Sequence, residues 1–442
     1  MHRKVYYLIV VVLFTLATSS LSYAAPLGSR TELDNGAVLL VAERPSIPMV
    51  QLYMLIKSGA AADPKGKEGV ANLMAALLTR GTQKYSAQEL AKELDALGTS
   101  LGVDADTETT TISLTSLTKN LDTSLTLLAE VLLFPTFPAD ELDKKRQEII
   151  GGLKSREEDP GWVAQRAFME NLYPNHPYGR LTEGTPESLN NLTRDDVVAF
   201  HRVHFHPNNA IIAVAGDVSE KQIETLLQKH FGGWRRGEIP PVSWPEETPF
   251  PATRITLDKK VTQANVILGH AGIARSNPDY YAVTVMNYTL GGGGFGSRLM
   301  DKIREELGLV YGIYSSFSAE RHAGPFRVML QTKNSSAKQA IDESLAVVRG
   351  FIEEGPTDKE VAEAKAYLIN SFPLRLVSNR DVARLLPALE FYNLGLDYPD
   401  RYPTLIGEIT KEKVHAVAKT YLHPDKFLEV IVADLEQTEL KQ

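Results

Sequence analysis

Three histidines, His201, His204 and His206, lie within six residues of one another and form the densest histidine group in the chain. A protein zinc site needs several imidazole, thiolate or carboxylate ligands converging on one point. His201 and His204 can share a helix face, but His206 precedes Pro207, where the helix must break. No two histidines are four residues apart, and no glutamate completes a zinc pattern with any pair. This spacing predicts a solvent-exposed helix end and no metal site.

A glycine run, Gly291-Gly292-Gly293-Gly294-Phe295-Gly296, has the spacing of the dinucleotide-binding fingerprint G-x-G-x-x-G. That fingerprint requires a strand immediately before it. Here the preceding apolar residues have helical spacing instead: Ala282, Val285, Met286 and Leu290. The run therefore predicts a flexible loop that ends a helix, because successive glycines lose the most backbone freedom when they become ordered.

The composition removes several other classes of site. The 442 residues include no cysteine, which excludes a thiol nucleophile, a cysteine-ligated zinc, an iron–sulfur cluster and disulfides. With 47 Lys+Arg against 55 Asp+Glu the net charge is -8, so the composition offers no electrostatic footprint for nucleic acid. A chain of this length has room for two or three packed domains.

The elements that position any site are duplicated. Residues 192–207 align without a gap to residues 409–424. In each copy a threonine, Thr193 or Thr410, is placed to cap a helix that ends at a His-Pro pair and precedes a buried strand. An alternating strand, a helix and a proline turn also recur upstream in both copies. The chain is therefore predicted to be α+β, with two duplicated domains, each a mainly antiparallel sheet with helices packed on one face.

The N-terminus has the pattern of a secretory signal. Arg3 and Lys4 precede an apolar run over residues 5–16 that is too short to span a membrane, and small residues follow up to Ala24. Removing this segment, which carries two positive and no negative charges, changes the net charge from -8 to -10. We therefore expect a periplasmic or secreted protein with no membrane association after signal removal. The predicted division of the chain is a signal at 1–24, domains at 25–236 and 253–442, and a proline-rich linker at 237–252.

Residues 69–80 have the sequence Gly-Val-Ala-Asn-Leu-Met-Ala-Ala-Leu-Leu-Thr-Arg and are followed by Gly81-Thr82. This segment resembles the zinc helix of the pitrilysin/insulinase metallopeptidases, which include the mitochondrial processing peptidases. In that family the helix carries His-x-x-Glu-His: two imidazoles hold zinc and the glutamate polarises the attacking water. Further segments stand in family order: Arg156–Pro160, His176–Arg180, Gly296–Leu299 and Gly308–Tyr311. The resemblance covers nearly all of the mature chain and implies the same two-domain fold.

The zinc ligands of the family are missing from this chain. Asn72, Ala75 and Ala76 occupy the places of the two histidines and the glutamate, and the third ligand's place falls at Gly151-Gly152, where we assign Gly152. An asparagine alone is a poor zinc ligand and the other residues offer no donor. The resemblance therefore implies a degenerate zinc site, with no metal and no cofactor in this chain and zinc in a partner subunit.

One functional pair of the family has counterparts here, Arg304 and Tyr311. A chain reversal at Gly308 can bring both side chains to one point, where a guanidinium and a phenol can hold a peptide carbonyl or a developing oxyanion. The alternative is structural, with Arg304 paired to Glu305 or Glu306 and Tyr311 an ordinary strand residue.

Together these features imply a non-catalytic subunit of a secreted heterodimeric zinc peptidase. Its partner would be a homologous subunit that bears the zinc, and its substrate an unfolded or extended peptide added to a sheet edge. The glycine run would lie at the rim of the chamber between the subunits. Two other functions stay open: an independent peptidase with an unrecognised site, and a purely structural or scaffolding protein.

Overall fold

The computed structural model describes residues 26–245 and 252–440 of the chain. The predicted signal segment lies outside the described residues, as does part of the predicted linker. No helix within the two described ranges combines the length and the apolar character that crossing a bilayer requires.

The first sheet has six strands in the order β1-β2-β6-β3-β5-β4. Their bounds are β1 Ser29–Glu32, β2 Val38–Glu43, β3 Met49–Ile56, β4 Ser100–Ala105, β5 Thr110–Leu117 and β6 Ala210–Gly216. Only β2 and β6 pair in parallel, and the other neighbours are antiparallel. Strand β6 is buried along its whole length because it lies in the interior of the sheet, as its unbroken apolar sequence predicts.

The second sheet repeats this topology in the order β7-β11-β8-β10-β9. Its strands are β7 Thr253–Asp258, β8 Gln263–Ala271, β9 Val310–Phe317, β10 Pro325–Lys333 and β11 Leu428–Ala433. Again one pair, β7 with β11, is parallel and the remaining pairs are antiparallel. The strands β7, β11, β8, β10 and β9 thus stand where β2, β6, β3, β5 and β4 stand in the first sheet. This repetition confirms the predicted duplication and the α+β class.

Fourteen α-helices lie within the described residues. They are α1 Val70–Leu77, α2 Ala87–Leu97, α3 Leu121–Leu133, α4 Ala139–Arg156, α5 Pro160–Leu172, α6 Pro186–Asn191, α7 Arg194–His204, α8 Glu220–Phe231, α9 Tyr280–Asn287, α10 Ala337–Glu354, α11 Asp358–Ser371, α12 Asn379–Phe391, α13 Tyr398–Gly407 and α14 Lys411–Tyr421. The predicted threonine caps are present at both duplicated helices. The side chain of Thr193 accepts from the N–H of Asp196, and that of Thr410 accepts from the N–H of Lys413.

Each sheet has most of its own helices on one face and a single helix of the other domain on the second face. Helix α5 packs Ala164 and Phe168 onto β8 and β11 of the second sheet. Reciprocally, α12 packs Val382 and Leu386 onto β3 and β6 of the first sheet. Sequence patterns predict the layer on one face, and the structure adds this exchanged layer on the other. The two domains are therefore joined through apolar contacts as well as through the linker.

Candidate functional site

Helix α1 occupies the place of the family's zinc helix. It begins after Gly69, whose φ of 93° and close approach to the Glu183 carbonyl leave no room for a side chain. The carboxylate of Asp63 accepts hydrogen bonds from the N–H groups of Gly69 (2.6 Å) and Ala71 (3.0 Å), which closes the helix N-terminus. Burial raises the pKa of Asp63 to about 7, although these two donors act in the opposite direction.

The residues at the degenerate zinc positions lie on α1 and α4, which pack together. Asn72, Ala76 and Gly152 are half-buried, whereas Ala75 is 2% exposed. A side chain at Gly152 would begin in open space, since no heavy atom outside its own helix turn lies within 4 Å of where its Cβ would be. Core packing by this helix comes from Leu73 and Leu77, whereas Ala76 stays outside the fully buried core.

These residues do not fit a catalytic zinc ion. The amide of Asn72 is at best one poor ligand, and two methyl groups and a hydrogen offer none, so the three nitrogen or oxygen ligands that such a site needs are missing. Across the described parts of the chain, no three His, Asp or Glu side chains gather closely enough to hold a metal ion. We therefore derive no hydrolytic step at this helix.

Arg304 and Tyr311 do meet in space. Arg304 lies on a π-helical segment, Met300–Glu306, and the chain then reverses at Gly308, whose φ is 61°. The guanidinium carbon of Arg304 is 5.6 Å from the centre of the Tyr311 ring. Tyr311 is 86% exposed and stands on β9, which is an edge strand because it pairs with β10 alone. An edge strand can receive an added strand through its unpaired backbone groups, but on β9 the carbonyl of Ser315 already accepts from the side-chain amide of Asn287 at 3.1 Å.

Two further side chains contact Arg304. Its Nη1 is 3.0 Å from Oε1 of Glu305, the ion pair that the structural alternative predicts. The ring of Phe295, 70% exposed, lies 4.5 Å from the guanidinium carbon on the side of the glycine run. Sequence reasoning missed Phe295. An aromatic residue set between glycines was the signal that could have identified it.

The glycine run is more ordered in its packing than the sequence indicates. Residues Tyr288–Gly292 form a π-helical turn that extends α9, closed by the Gly293 N–H donating to the Tyr288 carbonyl at 2.9 Å. Gly291 is buried, and a Cβ there would lie 2.5 Å from Oγ of Ser315 on β9. The prediction of a flexible loop is therefore wrong at Gly291, which is packed. Mobility of the exposed part of the run stays a prediction.

Arg298 anchors the same segment to α11. Its guanidinium donates to both carboxylate oxygens of Glu360 at 2.6 and 2.9 Å and to the carbonyl of Gly355 at 2.7 Å. Burial opposes ionisation of Glu360, but the hydrogen bonds from Arg298 and Thr357 hold its pKa at about 2. This bidentate pair has a positioning role, because it fixes the start of the helix that carries Arg304.

The histidine group is structural, but it is not the exposed helix end that the spacing predicts. His201 donates from Nε2 to the carbonyl of Leu132 at 2.9 Å, and His204 shares a hydrogen bond of 3.1 Å with Oγ of Ser58. Burial lowers the pKa of both imidazoles to about 4, so both are neutral near pH 7. His204 is enclosed because α7 packs against α1, and this contact covers the helix face that carries it.

This chain matches the models of known protein families. The model of the insulinase family, peptidase family M16, matches residues 38–186, and that of the peptidase M16 inactive domain matches residues 191–368. A non-peptidase homologue named YmxG from Helicobacter pylori is 31% identical over 84% of this chain and 84% of its own. An uncharacterized zinc protease of Mycobacterium leprae is 29% identical over 89% of each chain.

Among solved structures, the crystal structure of a peptidase M16 inactive domain from Pseudomonas fluorescens superposes with a TM-score of 0.87 at 31% identity. The match covers 94% of this chain and 99% of that one. It extends over both domains, so the reciprocal exchange of α5 and α12 lies inside the shared fold. The chain therefore belongs to the insulinase family of peptidases, family M16, with a zinc helix that carries no zinc ligands.

Proposed function

We propose that this protein is the non-catalytic subunit of a secreted heterodimeric zinc peptidase. One observation carries the proposal: Arg304 and Tyr311 converge at an exposed sheet edge in a chain whose own zinc positions hold no ligands. The relative named as a non-peptidase homologue supports a role without independent hydrolysis. The signal-like N-terminus supports action outside the cytoplasm.

In this role the chain binds and orients peptide for a zinc-bearing homologous subunit. An extended peptide adds to a sheet edge by main-chain hydrogen bonds, which read the backbone more than the side chains. The remaining guanidinium N–H groups of Arg304 and the hydroxyl of Tyr311 then donate to the carbonyl oxygen on which negative charge develops. Zinc and the attacking water belong to the partner.

The experiment is reconstitution of the two subunits and measurement of kcat on a fluorogenic peptide. Arg304→Ala and Tyr311→Phe should each lower kcat by about 10- to 1,000-fold, since each removes a donor aimed at the transition state. Arg304→Lys should not restore activity, because an ammonium lacks the planar fork of donors. Gel filtration should show unchanged assembly.

Two matched variants test whether the loss is specific to the pair. Arg349, which pairs with Asp425, and Tyr367, whose ring packs at a tilt against Tyr288, are also accessible at the surface. The variants Arg349→Ala and Tyr367→Phe should keep full activity. Full activity of Arg304→Ala and Tyr311→Phe would instead favour the scaffolding function, which the Arg304–Glu305 ion pair supports. Peptide cleavage by this chain alone, lost with chelator, would favour an independent peptidase.

A further inference from the structure

Aromatic rings from both domains and from the linker meet at the boundary between the domains. Tyr173, His176 and Tyr178 belong to the first domain, Trp244 to the linker, and His322 to the loop between β9 and β10 of the second domain. The ring of Trp244 stacks on that of His322 with 4.2 Å between their centres. Its centre also lies 5.3 Å from that of His176 and 5.6 Å from that of Tyr178. We call these five residues the junction cluster, in which Trp244 contacts both domains at once.

Hydrogen bonds across the boundary fix the arrangement of the junction cluster. The hydroxyl of Tyr173 donates to the carbonyl of Ala323 at 2.9 Å, and the backbone N–H of His322 donates to the hydroxyl oxygen of Tyr178 at 3.2 Å. The Tyr178 hydroxyl in turn donates to Oε1 of Glu108 at 2.5 Å. These bonds hold the loop of the second domain against the first domain, beside the linker.

The protonation state of His176 is fixed by its place in the junction cluster. Its Nδ1 accepts a hydrogen bond from the N–H of Tyr178 at 3.1 Å, which caps the turn Pro177–Gly179. An acceptor nitrogen carries no proton, so the proton of the neutral ring is on Nε2. A second proton can be added only at Nδ1, where it would face the Tyr178 N–H and break this bond. Because His176 is only 7% exposed, water cannot replace the lost partner.

The surroundings of His176 also oppose a second proton. Burial lowers the pKa of His176 to about 4, and the positive charges of His322 and Arg180 act in the same direction. Burial lowers the pKa of His322 as well, and Arg321 adds to this effect. A charged His176 would therefore stand among other cationic groups.

The carboxylates near the junction cluster do not offset this charge in acid. Burial raises the pKa of Tyr178, and Glu108 and Glu320 raise it further, so their negative charges act on its hydroxyl. Burial raises the pKa of both carboxyl groups too. As the pH falls, both carboxylates are neutralised early and their negative charge is lost.

A protonated His176 cannot keep its hydrogen bond to Tyr178 and its place in the junction cluster. Above pH 6.5, the ordinary pKa of a histidine, the ring is neutral and the contacts are complete. As the pH falls from 6.5 towards 4, a state with this ring outside the cluster binds a proton and becomes relatively more stable. We propose that the junction cluster is an acid-sensitive latch, which holds the linker to both domains at neutral pH and releases Trp244 when His176 is protonated. A chain that acts outside the cytoplasm meets the pH of its surroundings, and the latch couples the freedom of the linker to that pH.

Fluorescence of the purified chain, measured from about pH 7.5 to about pH 4, tests the latch without a partner subunit. Subtracting the emission of the Trp244→Phe variant isolates Trp244 from Trp162 and Trp234, and phenylalanine keeps a ring in the cluster. The emission of Trp244 should move to longer wavelength in acid, because a released indole is exposed to water. The ratio of closed to open latch should fall by about 100-fold over this range.

Two histidine variants show whether the change comes from His176. His176→Asn should keep the emission of Trp244 constant, because the amide oxygen can still accept from the Tyr178 N–H and takes up no proton in this range. His230→Asn, on α8 beside Asp122, is the matched control and should show the same shift as the natural chain. Constant emission of Trp244 in the natural chain, or an equal shift in His176→Asn, would overturn the proposal.

Linkage gives a second measurement that does not depend on how far the latch opens. If protonation of His176 and docking of Trp244 oppose each other, removal of the indole must make protonation easier. Trp244→Ala should therefore raise the pKa of His176 from about 4 towards 6.5. NMR titration of the imidazole protons measures this value, and the signal that is missing in His176→Asn identifies the residue. An unchanged pKa of His176 in Trp244→Ala would contradict the latch.

Discussion

At the residue scale, α1 presents Asn72 and Ala76 four positions apart, the spacing at which two histidines share a helix face. Gly152 on α4 borders open space, so a Cβ can be added there without meeting a neighbour. The helices that would hold a zinc site are therefore present, while the side chains assigned to it offer no set of zinc ligands. The sequence alone predicts the missing ligands, because ligand identity is a property of single residues.

Metal analysis should show no bound zinc in the dialysed chain and about one zinc per chain in the triple variant Asn72→His, Ala76→His, Gly152→Glu, since two imidazoles and a carboxylate make a three-ligand site. Ala75 stays unchanged in this variant, because a glutamate at this buried position would place a carboxylate in the core. The matched control replaces Gly151 instead of Gly152. Because adjacent helix residues point about 100° apart, that glutamate cannot reach the same ion. Zinc in the dialysed natural chain, or equal zinc in both triple variants, would contradict this account.

At the element scale, the duplicated helices and strands could be predicted because their signals are local. Thr193 and Thr410 cap their helices, and the alternating residues of β5 are alternately buried, as period-two hydrophobicity predicts. The glycine run could not be predicted in the same way. Its first residues continue a helix because Gly291 packs against Ser315 on β9, a contact that joins residues far apart in the sequence.

Gly291→Ala should lower the free energy of unfolding by about 1–3 kcal/mol, because its Cβ would overlap the side chain and backbone of Ser315. Gly296→Ala is the matched control: it lies in the same run, has no positive φ and meets no atom within 4 Å. Its effect should stay within about 0.5 kcal/mol. Urea unfolding of both variants measures the difference. Equal values would restore the view that the whole run is an unpacked loop.

At the scale of the whole molecule, no pattern in the sequence predicts that α5 and α12 each pack on the sheet of the other domain. The apolar stripe of Ala164, Phe168 and Leu172 on α5 predicts that this face is buried, but it does not say against which sheet. Burial of one helix per domain on the other domain's sheet makes the interface apolar. Relative domain motion is the default for smaller, more polar interfaces, so we expect the two domains to unfold together.

Two leucines on α12 test this coupling, because they are equally buried but face different domains. Leu386, 0% exposed, packs on the first sheet, and Leu389, 1% exposed, packs in the core of the second domain. Replacing either by alanine should cost about 2–5 kcal/mol. If the domains unfold as one unit, both variants should reduce hydrogen-exchange protection of β6 in the first domain by similar amounts, since its amides exchange through global unfolding. Loss of protection in β8 but not in β6 for Leu389→Ala would mean that the domains unfold separately and that the exchanged helices are merely docked.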